Sequence, residues 1–286
     1  MKMTPENLHA LRPAESDSAL HGGVRRKGVV AQGSASAPLV TVITSVFNAR
    51  HHIAGCIESV MRQDYPNIEH IVIDGGSTDG TVDVLRGFDG SIAFWRSAPD
   101  KGIYDAWNKG LAEARGEWIC FIGADDELLP GAVTAYMQLA RSNPQAEFLC
   151  SRIQWVNPSG YRRIRGKAWR WPEFARWMSV SHPGSMHRRS LYNRLGTYDL
   201  SFGSAADYEL LLRARQTLHA AYMPQITAVM RAGGVSDGLA ALADAARAQT
   251  ASGGRSPLLA HMELQIARVK ALLRPIRRWL SRTVDA

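Results

Sequence analysis

Residues 38–126 alternate short apolar runs with segments of helical periodicity, and this alternation restricts the fold more than any other feature of the sequence. The runs have the length and the partly β-branched composition of buried strands, and they lie at 39–44, 69–74, 92–96 and 117–122. Apolar residues at helical spacing between them predict helices over 52–63, 81–86 and 103–114. Strict alternation predicts an α/β fold with a mostly parallel sheet flanked by helices, in which ligands bind at the carboxyl ends of the strands.

A chain of 286 residues can form one large domain or two small ones. We predict one domain over 38–236, with a first half at 38–126 and a second half at 127–236. Residues 1–37 are rich in Ser, Ala, Gly and Pro, have no apolar secretory segment, and are expected to be a mobile extension. Residues 237–286 are predicted to be an Ala-rich linker followed by a basic amphipathic helix.

The cysteines and the hydropathy point to a cytoplasmic protein. Cys56, Cys120 and Cys150 are odd in number, have no CxxC spacing and lie among apolar residues, which argues against a disulfide framework and a zinc site. No apolar run reaches the ~18 residues of a membrane-spanning helix.

Two adjacent carboxylates, Asp125 and Asp126, follow the fourth predicted strand. Adjacent carboxylates repel each other, and a divalent cation such as Mg²⁺ or Mn²⁺ offsets that repulsion while leaving positions for phosphate oxygens. The alternative is that Asp126 caps a helix around 129–140. The residue types alone leave both interpretations open.

The segment 74–81, Asp-Gly-Gly-Ser-Thr-Asp-Gly-Thr, predicts a tight loop after the second strand. Its paired glycines allow a sharp turn and close approach of a ligand. Asp74 could accept a hydrogen bond from a base, and Asp79 could cap the next helix and orient the loop. A plain turn followed by a helix cap is the alternative. The chain contains neither a GxGxxG dinucleotide motif nor a GxxxxGK[ST] phosphate loop.

Several of these segments, in this order, resemble the nucleotide-sugar glycosyltransferases of family two, and a bacterial branch that builds capsule, colanic-acid-like exopolysaccharide and O-antigen in particular. The resemblance covers residues 38–236. The segments that carry it are Pro38–Asn48, Ile57–Pro66, Ile73–Thr81, Ser97–Gly110, Phe121–Asp126, Leu195–Phe202 and Ala205–Arg213.

The resemblance implies a GT-A fold and an inverting transfer. It implies that Asp74 contacts the base of the nucleotide, usually uridine, and that Asp125 and Asp126 lie near a divalent cation and the diphosphate. It makes Asp207 the catalytic base, since a carboxylate within hydrogen-bond reach can take the proton of the attacking hydroxyl. Without the resemblance, Asp207 would be interpreted as a cap or first-turn acid of the helix that follows it. The family's acidic motif often reads D-x-D, whereas position 124 is Ala, so which of the two acids binds the metal is left open.

A further set of residues is expected to bind the nucleotide-sugar donor, namely Ser45, Phe47, Asn48, Asp79, Lys101, Asp105 and Asn108, together with Asp125. For the segment 101–109 the alternative is a solvated helix face with Asp105 and Lys109 as an i,i+4 pair. His182 is expected to contact the diphosphate, the metal or the acceptor, or else to be structural. Arg163 and Trp169 are expected to meet the sugars or the diphosphate of the acceptor.

The net charge of +8 is unevenly distributed. Residues 238–286 carry +5 and the Arg- and Trp-rich segment 152–176 carries +6, while the rest of the 38–237 core carries −5. An acidic core fits a cation site better than a nucleic-acid surface, and no nucleic-acid-binding module is recognisable.

The C-terminal segment has an apolar stripe at helical spacing, surrounded by arginines and lysine. Its members are Met262, Ile266, Val269, Leu273, Ile276 and Leu280. A basic amphipathic helix with a flanking tryptophan, Trp279, is typical of a membrane interface, and packing on the domain is the alternative. Pro275 predicts a kink or two short helices.

These observations predict a metal-dependent inverting glycosyltransferase on the inner face of the cell membrane, acting on a glycan or lipid-linked saccharide acceptor in surface polysaccharide synthesis. One alternative is a sugar-phosphate nucleotidyltransferase, but residues 45–50 lack the Gly-rich basic loop which that activity needs. A non-catalytic nucleotide-sugar-binding protein is the other alternative.

Overall fold

The computed structural model describes residues 19–233 and 239–269. In this part of the chain one sheet of ten strands forms the centre of the molecule. The strands are β1 (Leu20–Gly22), β2 (Val40–Val46), β3 (Ile68–Asp74), β4 (Phe94–Ser97), β5 (Trp118–Gly123), β6 (Glu127–Leu128), β7 (Phe148–Val156), β8 (Arg162–Arg165), β9 (Ser185–Arg188) and β10 (Ala220–Arg231). The α-helices are α1 (Ile53–Met61), α2 (Thr81–Gly87), α3 (Ile103–Glu113), α4 (Ala132–Ser142), α5 (Trp171–Phe174), α6 (Arg189–Leu195), α7 (Ala206–Ala214), α8 (Leu239–Ala251) and α9 (257–269).

The predicted parallel sheet is confirmed in the first half of the domain. Strands β4, β3, β2 and β5 are neighbours in that order, and each adjacent pair is parallel. The second half differs, because β9 lies antiparallel between β5 and β7 and makes the sheet mixed. Strand β10 then returns parallel to β7 and pairs antiparallel with the short β6.

Helices cover both faces of the sheet because successive side chains of a strand point to opposite faces. On β2, Val42 packs into a cluster with residues of α1, α2 and α4, while the next residue, Ile43, packs with α3, α6 and α7. Helix α3 lies especially close to the sheet at Gly110, where a Cβ would stand 2.5 Å from Cγ2 of Ile43. The three cysteines are free and buried, and burial raises the pKa of each thiol to about 12.

The N-terminal extension differs from the expectation that residues 1–37 are mobile. From Ala19 onward it is part of the fold, because β1 pairs antiparallel with β4 and the guanidinium of Arg25 forms an ion pair with the buried carboxylate of Glu69. Glu69 also accepts hydrogen bonds from the Thr41 hydroxyl and from the N–H groups of Arg115 and Gly116. Strand pairing and the ion pair of one arginine, which composition does not reveal, hold this segment. Residues 1–18 lie outside the described part.

The Ala-rich segment also differs from expectation, because it is an integral helix and not a linker. Ala248 of α8 is fully buried, and the Gln249 amide donates to the carbonyl of Arg176 at 2.6 Å. Asp244 accepts a hydrogen bond of 3.0 Å from the Ser204 N–H. Alanine leaves so little side-chain bulk that α8 approaches α7 closely. No helix in the described ranges is long and apolar enough to cross a membrane.

We expect Arg25→Met to lower the free energy of unfolding by about 3 kcal/mol, because it leaves the buried Glu69 carboxylate without a counter-charge. Urea unfolding near neutral pH measures the effect. Arg26→Met is the matched control, since the Arg26 side chain is exposed and, among the described residues, donates to the His21 carbonyl and pairs with no acid. Equal losses in the two variants would contradict this role for Arg25.

Candidate functional site

Three loops meet at one edge of the sheet because the strands that precede them are parallel and in register. Val46 of β2 pairs with Asp74 of β3, and Ser45 pairs with Gly123 of β5. The residues that follow each strand therefore lie side by side at the carboxyl edge, as expected for ligand sites in sheets of this kind.

Asp74 is fully buried and organises the loop that follows β3. Its carboxylate accepts hydrogen bonds from the N–H groups of Gly76 and Ser77, at 3.1 and 2.9 Å, and from the hydroxyls of Ser77 and Ser97. Three of these donors share Oδ2, whereas Oδ1 accepts only the Ser77 hydroxyl among the described residues. Gly76 adopts a φ of 86°, in the left-handed region that glycine favours. Contact of Asp74 with a base is still a prediction, and Oδ1 has an acceptor position for it.

Asn48 and Asp79 join the β2 loop to the β3 loop. The Asn48 side-chain oxygen accepts from the Thr78 N–H at 2.9 Å, and the Asn48 N–H donates to the Ser77 hydroxyl at 2.7 Å. Asp79 accepts from the N–H groups of Arg50 and Thr81, both at 3.0 Å, and from the Thr81 hydroxyl. These hydrogen bonds lower the pKa of Asp79 to about 2. Asp79 thus joins the β2 loop to the start of α2, whose N-cap is Gly80 without a side-chain cap hydrogen bond. The contact of Asp79 with a donor stays a prediction.

Phe47 and Ser45 differ in what they offer a ligand. The Phe47 side chain is 64% exposed beside the two joined loops, where a planar base can stack on it. The Ser45 hydroxyl accepts a hydrogen bond of 3.1 Å from the Trp107 indole of α3, so it anchors this helix to the end of β2.

Asp125 and Asp126 converge over Gly123. A Cβ on Gly123 would lie 3.0 Å from an oxygen of Asp126 and 3.1 Å from an oxygen of Asp125. Asp126 is buried, and its other carboxylate oxygen accepts from the Arg231 N–H at 2.9 Å. Burial, with the neighbouring charge of Asp125, raises the pKa of Asp126 to about 7. The predicted helix cap is not formed, since α4 begins at Ala132, beyond a left-handed glycine at 131.

These two carboxylates fit a divalent cation that a substrate helps to hold. In the described residues no group of three or more His, Cys, Asp or Glu side chains is placed to hold a metal ion by itself. Mg²⁺ is usually bound by one or two carboxylates together with substrate phosphates. Asp125 and Asp126 can supply these carboxylate ligands, because one oxygen of each lies close above Gly123. Asp126 is in addition buried and has a raised pKa.

Asp207 lies in the first turn of α7 and is held from α3. Its Oδ1 accepts from the Tyr104 hydroxyl at 2.9 Å and from the Tyr208 N–H at 2.8 Å. The side chain is half-buried, and burial raises the pKa of Asp207. Since Trp107 of the same helix contacts Ser45, α3 brings Asp207 to the edge where the loops meet.

Other predicted donor residues have partners within the protein. Asp105 pairs with Lys109 at 3.0 Å, which is the i,i+4 arrangement considered as the alternative. Asn108 exchanges two hydrogen bonds with the backbone of Tyr198 and joins α3 to the segment before α7. Lys101 is exposed, and its N–H donates to Asp105.

The three residues predicted to contact the acceptor lie in different surroundings. His182 is buried, stacks on Trp107 with ring centroids 4.5 Å apart, and burial lowers its pKa well below 6.5, so it is a neutral residue of the core. Trp169 is half-buried and packs against Phe174 of the core with ring centroids 4.2 Å apart, and its contact with an acceptor stays a prediction. Arg163 is exposed on β8, opposite Trp155.

Three sets of contacts at this site were not predicted from the sequence. Tyr104 fixes Asp207, and Arg231 donates its backbone N–H to Asp126 and its guanidinium to the carbonyl of Asp125. Asp100 lies against Gly75, where a Cβ would stand 2.8 Å from its carboxylate, and burial raises the pKa of Asp100. Tyr104 and Asp100 lie within a segment already singled out, whereas nothing in the sequence relates Arg231 to a motif more than one hundred residues earlier.

Comparisons with known proteins agree with this arrangement. Residues 41–203 match the family model described as Glycosyl transferase family 2. An uncharacterised glycosyltransferase of Mycobacterium tuberculosis is 40% identical over 187 residues, which span 63% of this chain and 70% of that protein.

Two solved structures are similar in fold. TarS from S. aureus in complex with UDP-GlcNAc aligns with a TM-score of 0.60 at 17% identity, over 79% of this chain and 70% of that chain. The alignment with another TarS structure spans 42% of that chain. A mannosyltransferase from Pyrobaculum calidifontis in complex with GDP-Man and Mn²⁺ aligns with a TM-score of 0.53 at 20% identity, over 90% of this chain and 88% of that chain.

Without divalent cations, we expect Asp126→Asn to stabilise the protein at pH 8 by roughly 3 kcal/mol. The folded-state pKa of Asp126, about 7, lies above its unfolded value, so the wild-type protein loses stability as the pH rises from about 4 through 7. The asparagine keeps the acceptor for the Arg231 N–H but carries no buried charge.

Urea unfolding at pH 4 and pH 8, in the presence of a chelator, measures this difference, which should vanish at the lower pH. Asp83→Asn is the control, because the Asp83 side chain is 76% exposed. Destabilisation by Asp126→Asn at pH 8 would show that burial of the ionised carboxylate is not unfavourable.

Proposed function

Since the chain belongs to glycosyl transferase family 2 and has its GT-A fold, we propose that it transfers a sugar, with inversion, from a UDP-sugar to a hydroxyl of a glycan or lipid-linked saccharide. The proposal includes a place in the synthesis of a bacterial surface polysaccharide. The observation that carries it is the position of Asp207, whose half-buried carboxylate is brought by α3 to the carboxyl edge of the sheet.

The donor nucleotide is assigned to the joined loops after β2 and β3. The exposed ring of Phe47 provides a stacking surface, and the Asp74 loop provides polar groups at the same edge. Structural neighbours solved with UDP-GlcNAc and with GDP-Man support a nucleotide-sugar donor. Uridine as the base follows from the family resemblance of the segment 73–81.

Asp125 and Asp126 are assigned to a divalent cation, Mn²⁺ or Mg²⁺, and to the diphosphate. Such a cation stabilises the negative charge that develops on a leaving diphosphate. Arg231 orients the acidic turn, because its backbone and its guanidinium both donate to it. The Mn²⁺ complex of the mannosyltransferase neighbour supports this assignment.

Asp207 is assigned as the general base that takes the proton of the acceptor hydroxyl. A raised pKa makes a carboxylate a better proton acceptor at neutral pH, and burial has this effect on Asp207. One base suffices, because the acceptor oxygen attacks the sugar carbon directly, on the face opposite the leaving diphosphate.

The acceptor is assigned to the side of the site bordered by the β7–β8 hairpin. Val156 at the end of β7 pairs with Arg231 of β10 and with Arg162 of β8, so the hairpin begins at the same edge as the acidic turn. Exposed Arg162 and Arg163 there suit an anionic acceptor, such as a saccharide linked through a diphosphate.

We expect Asp207→Asn to lower the transfer rate by at least about a hundredfold, since general-base catalysis contributes that much. Donor affinity should be unchanged, because Asp207 lies on the acceptor side. Transfer is measured with a panel of UDP-sugars, Mn²⁺ and lipid-linked acceptors, and donor affinity by calorimetry. Asp199→Asn, at an exposed carboxylate that caps the turn before α7, is the matched control. Wild-type turnover in Asp207→Asn would refute the assignment of the base.

A peripheral position on an anionic membrane, on the cytoplasmic face, is also part of the proposal. Helix α9 packs through Ala260, which is 2% exposed, and Glu263, which pairs with Arg176 and Arg255. Its other face presents apolar side chains that are at least half exposed, namely Leu258, Leu259, Met262, Ile266 and Val269. The remaining stripe residues, the cluster of basic residues around them, Trp279 and Pro275 lie in 270–286, outside the described residues.

We expect Leu258→Glu combined with Ile266→Glu to weaken binding to vesicles of phosphatidylglycerol and phosphatidylcholine at least about tenfold. The reason is that the variant lacks two aliphatic side chains that the membrane would bury. Co-sedimentation of the full chain measures binding. The control, His261→Glu with Gln265→Glu, adds two acidic residues on exposed polar positions of the same helix. Equal loss in both double variants would indicate that charge alone drives binding, and retention by the first would refute the apolar contact.

A further inference from the structure

The hydroxyl of Tyr104 is the one side-chain donor to Asp207 among the described residues. It lies 2.9 Å from Oδ1 of Asp207 and 3.0 Å from the carbonyl oxygen of Ser204. The same Oδ1 accepts the Tyr208 N–H. No other described residue donates a hydrogen bond to Oδ2, so the two oxygens of this carboxylate differ in their partners.

The ring of Tyr104 is fixed by its neighbours. Tyr104 is 7% exposed and meets Trp107 edge-on, with centroids 5.1 Å apart, and Tyr198 at 5.6 Å. Ser204 is held in turn, because its N–H donates to Asp244 of α8. The hydroxyl therefore has a defined position, and its proton has two acceptors at similar distances.

We propose that Tyr104 is a positioning residue for the general base: its hydroxyl holds Oδ1 of Asp207 and stabilises the ionised carboxylate, which leaves Oδ2 to receive the proton of the acceptor hydroxyl. The inference rests on the proposed function of Asp207. It assigns the two oxygens of the carboxylate to different tasks, one to orientation and one to proton transfer.

The electrostatic surroundings of Asp207 support this assignment. Burial raises the pKa of Asp207, and the hydrogen bond from Tyr104 opposes that increase. The other titratable groups nearby are Tyr198, before α7, and Asp244 of α8, which lies beyond Ser204. Burial keeps Tyr104 and Tyr198 neutral, since it raises the pKa of each well above 10. Tyr104 is thus the neighbour whose hydroxyl directly favours the charged form.

The test is the pH dependence of kcat in Tyr104→Phe. A general base must be ionised, so the rate rises with pH through the pKa of Asp207, and loss of the hydrogen bond should move this acid limb upward by about one pH unit. The KM for the donor should stay at the wild-type value. A uniform fall in kcat at every pH, with the limb unmoved, would overturn the proposal in favour of a purely structural role.

Tyr192→Phe is the matched control. Tyr192 is a fully buried tyrosine of the same aromatic cluster, and its hydroxyl bonds to His187 at 2.6 Å and not to Asp207. Its acid limb should remain at the wild-type pH. An equal shift in Tyr192→Phe would show that the limb reports general loosening of the core, and would overturn the proposal.

Replacement of Tyr104 by 3-fluorotyrosine serves if Tyr104→Phe does not fold. The fluorinated phenol keeps the ring and is a stronger hydrogen-bond donor, so the acid limb should move to lower pH. An unchanged limb would overturn the proposal. Asp207→Asn is assayed alongside, and wild-type turnover in that variant would refute the general base itself, which is a separate failure from that of Tyr104.

Discussion

The parallel pairing of β2 with both β3 and β5 is the constraint on which the rest of the site depends. Because the strands are in register, Ser45, Asp74 and Gly123 end at one edge. A one-residue slip of β2 would exchange its two faces and would also separate the loops that the hydrogen bonds of Asn48 and Asp79 join. The buried Glu69 secures the opposite end of this pairing, since it ties β3 to β2, to the residues before β5 and to Arg25.

Helix α3 connects the two halves of the domain. It reaches the end of β2 through Trp107 and Ser45, and the start of α7 through Tyr104 and Asp207. Asn108 adds a third link, to the backbone of Tyr198. In the proposed function, a short helix that touches both halves would fix the distance between the leaving group and the base, and such positioning is a large part of catalysis. This explains why the segment 97–110 carries so many polar residues with internal partners.

The acidic turn shows how burial supports the proposed cation site. A buried carboxylate next to another carboxylate is unfavourable in the folded protein, and this raises the pKa of Asp126. The proposed cation would offset both the cost of burying the charge and the repulsion between the two carboxylates. The same turn is held by Arg231, a residue from β10, so its geometry depends on a strand that closes the second half of the sheet.

Much of the first half could be predicted from the sequence. Its strands and helices alternate with clear periodicity, and the predicted segments agree with β2 to β5 and α1 to α3 to within two residues at most ends. The glycines of the segment 74–81 and the adjacent acids at 125–126 predicted a loop and a candidate site. This was possible because backbone conformation and local charge depend on neighbouring residues. Asp74, Asp125 and Asp126 were singled out in this way, whereas the catalytic role of Asp207 came from the family resemblance.

What the sequence by itself determined is therefore local: the βαβ alternation, the loops at the strand ends and the reduced, buried cysteines. Only the tertiary structure decided which polar residues are free and which are already engaged. It buried His182 in the core, packed Trp169 against Phe174, gave Asn108 and Asp105 internal partners, and brought Tyr104 and Arg231 to the acids that they orient. The physical reason is that hydrogen bonds and burial join residues that are distant in the chain, as with Tyr104 and Asp207, and no periodicity in the sequence records such pairs.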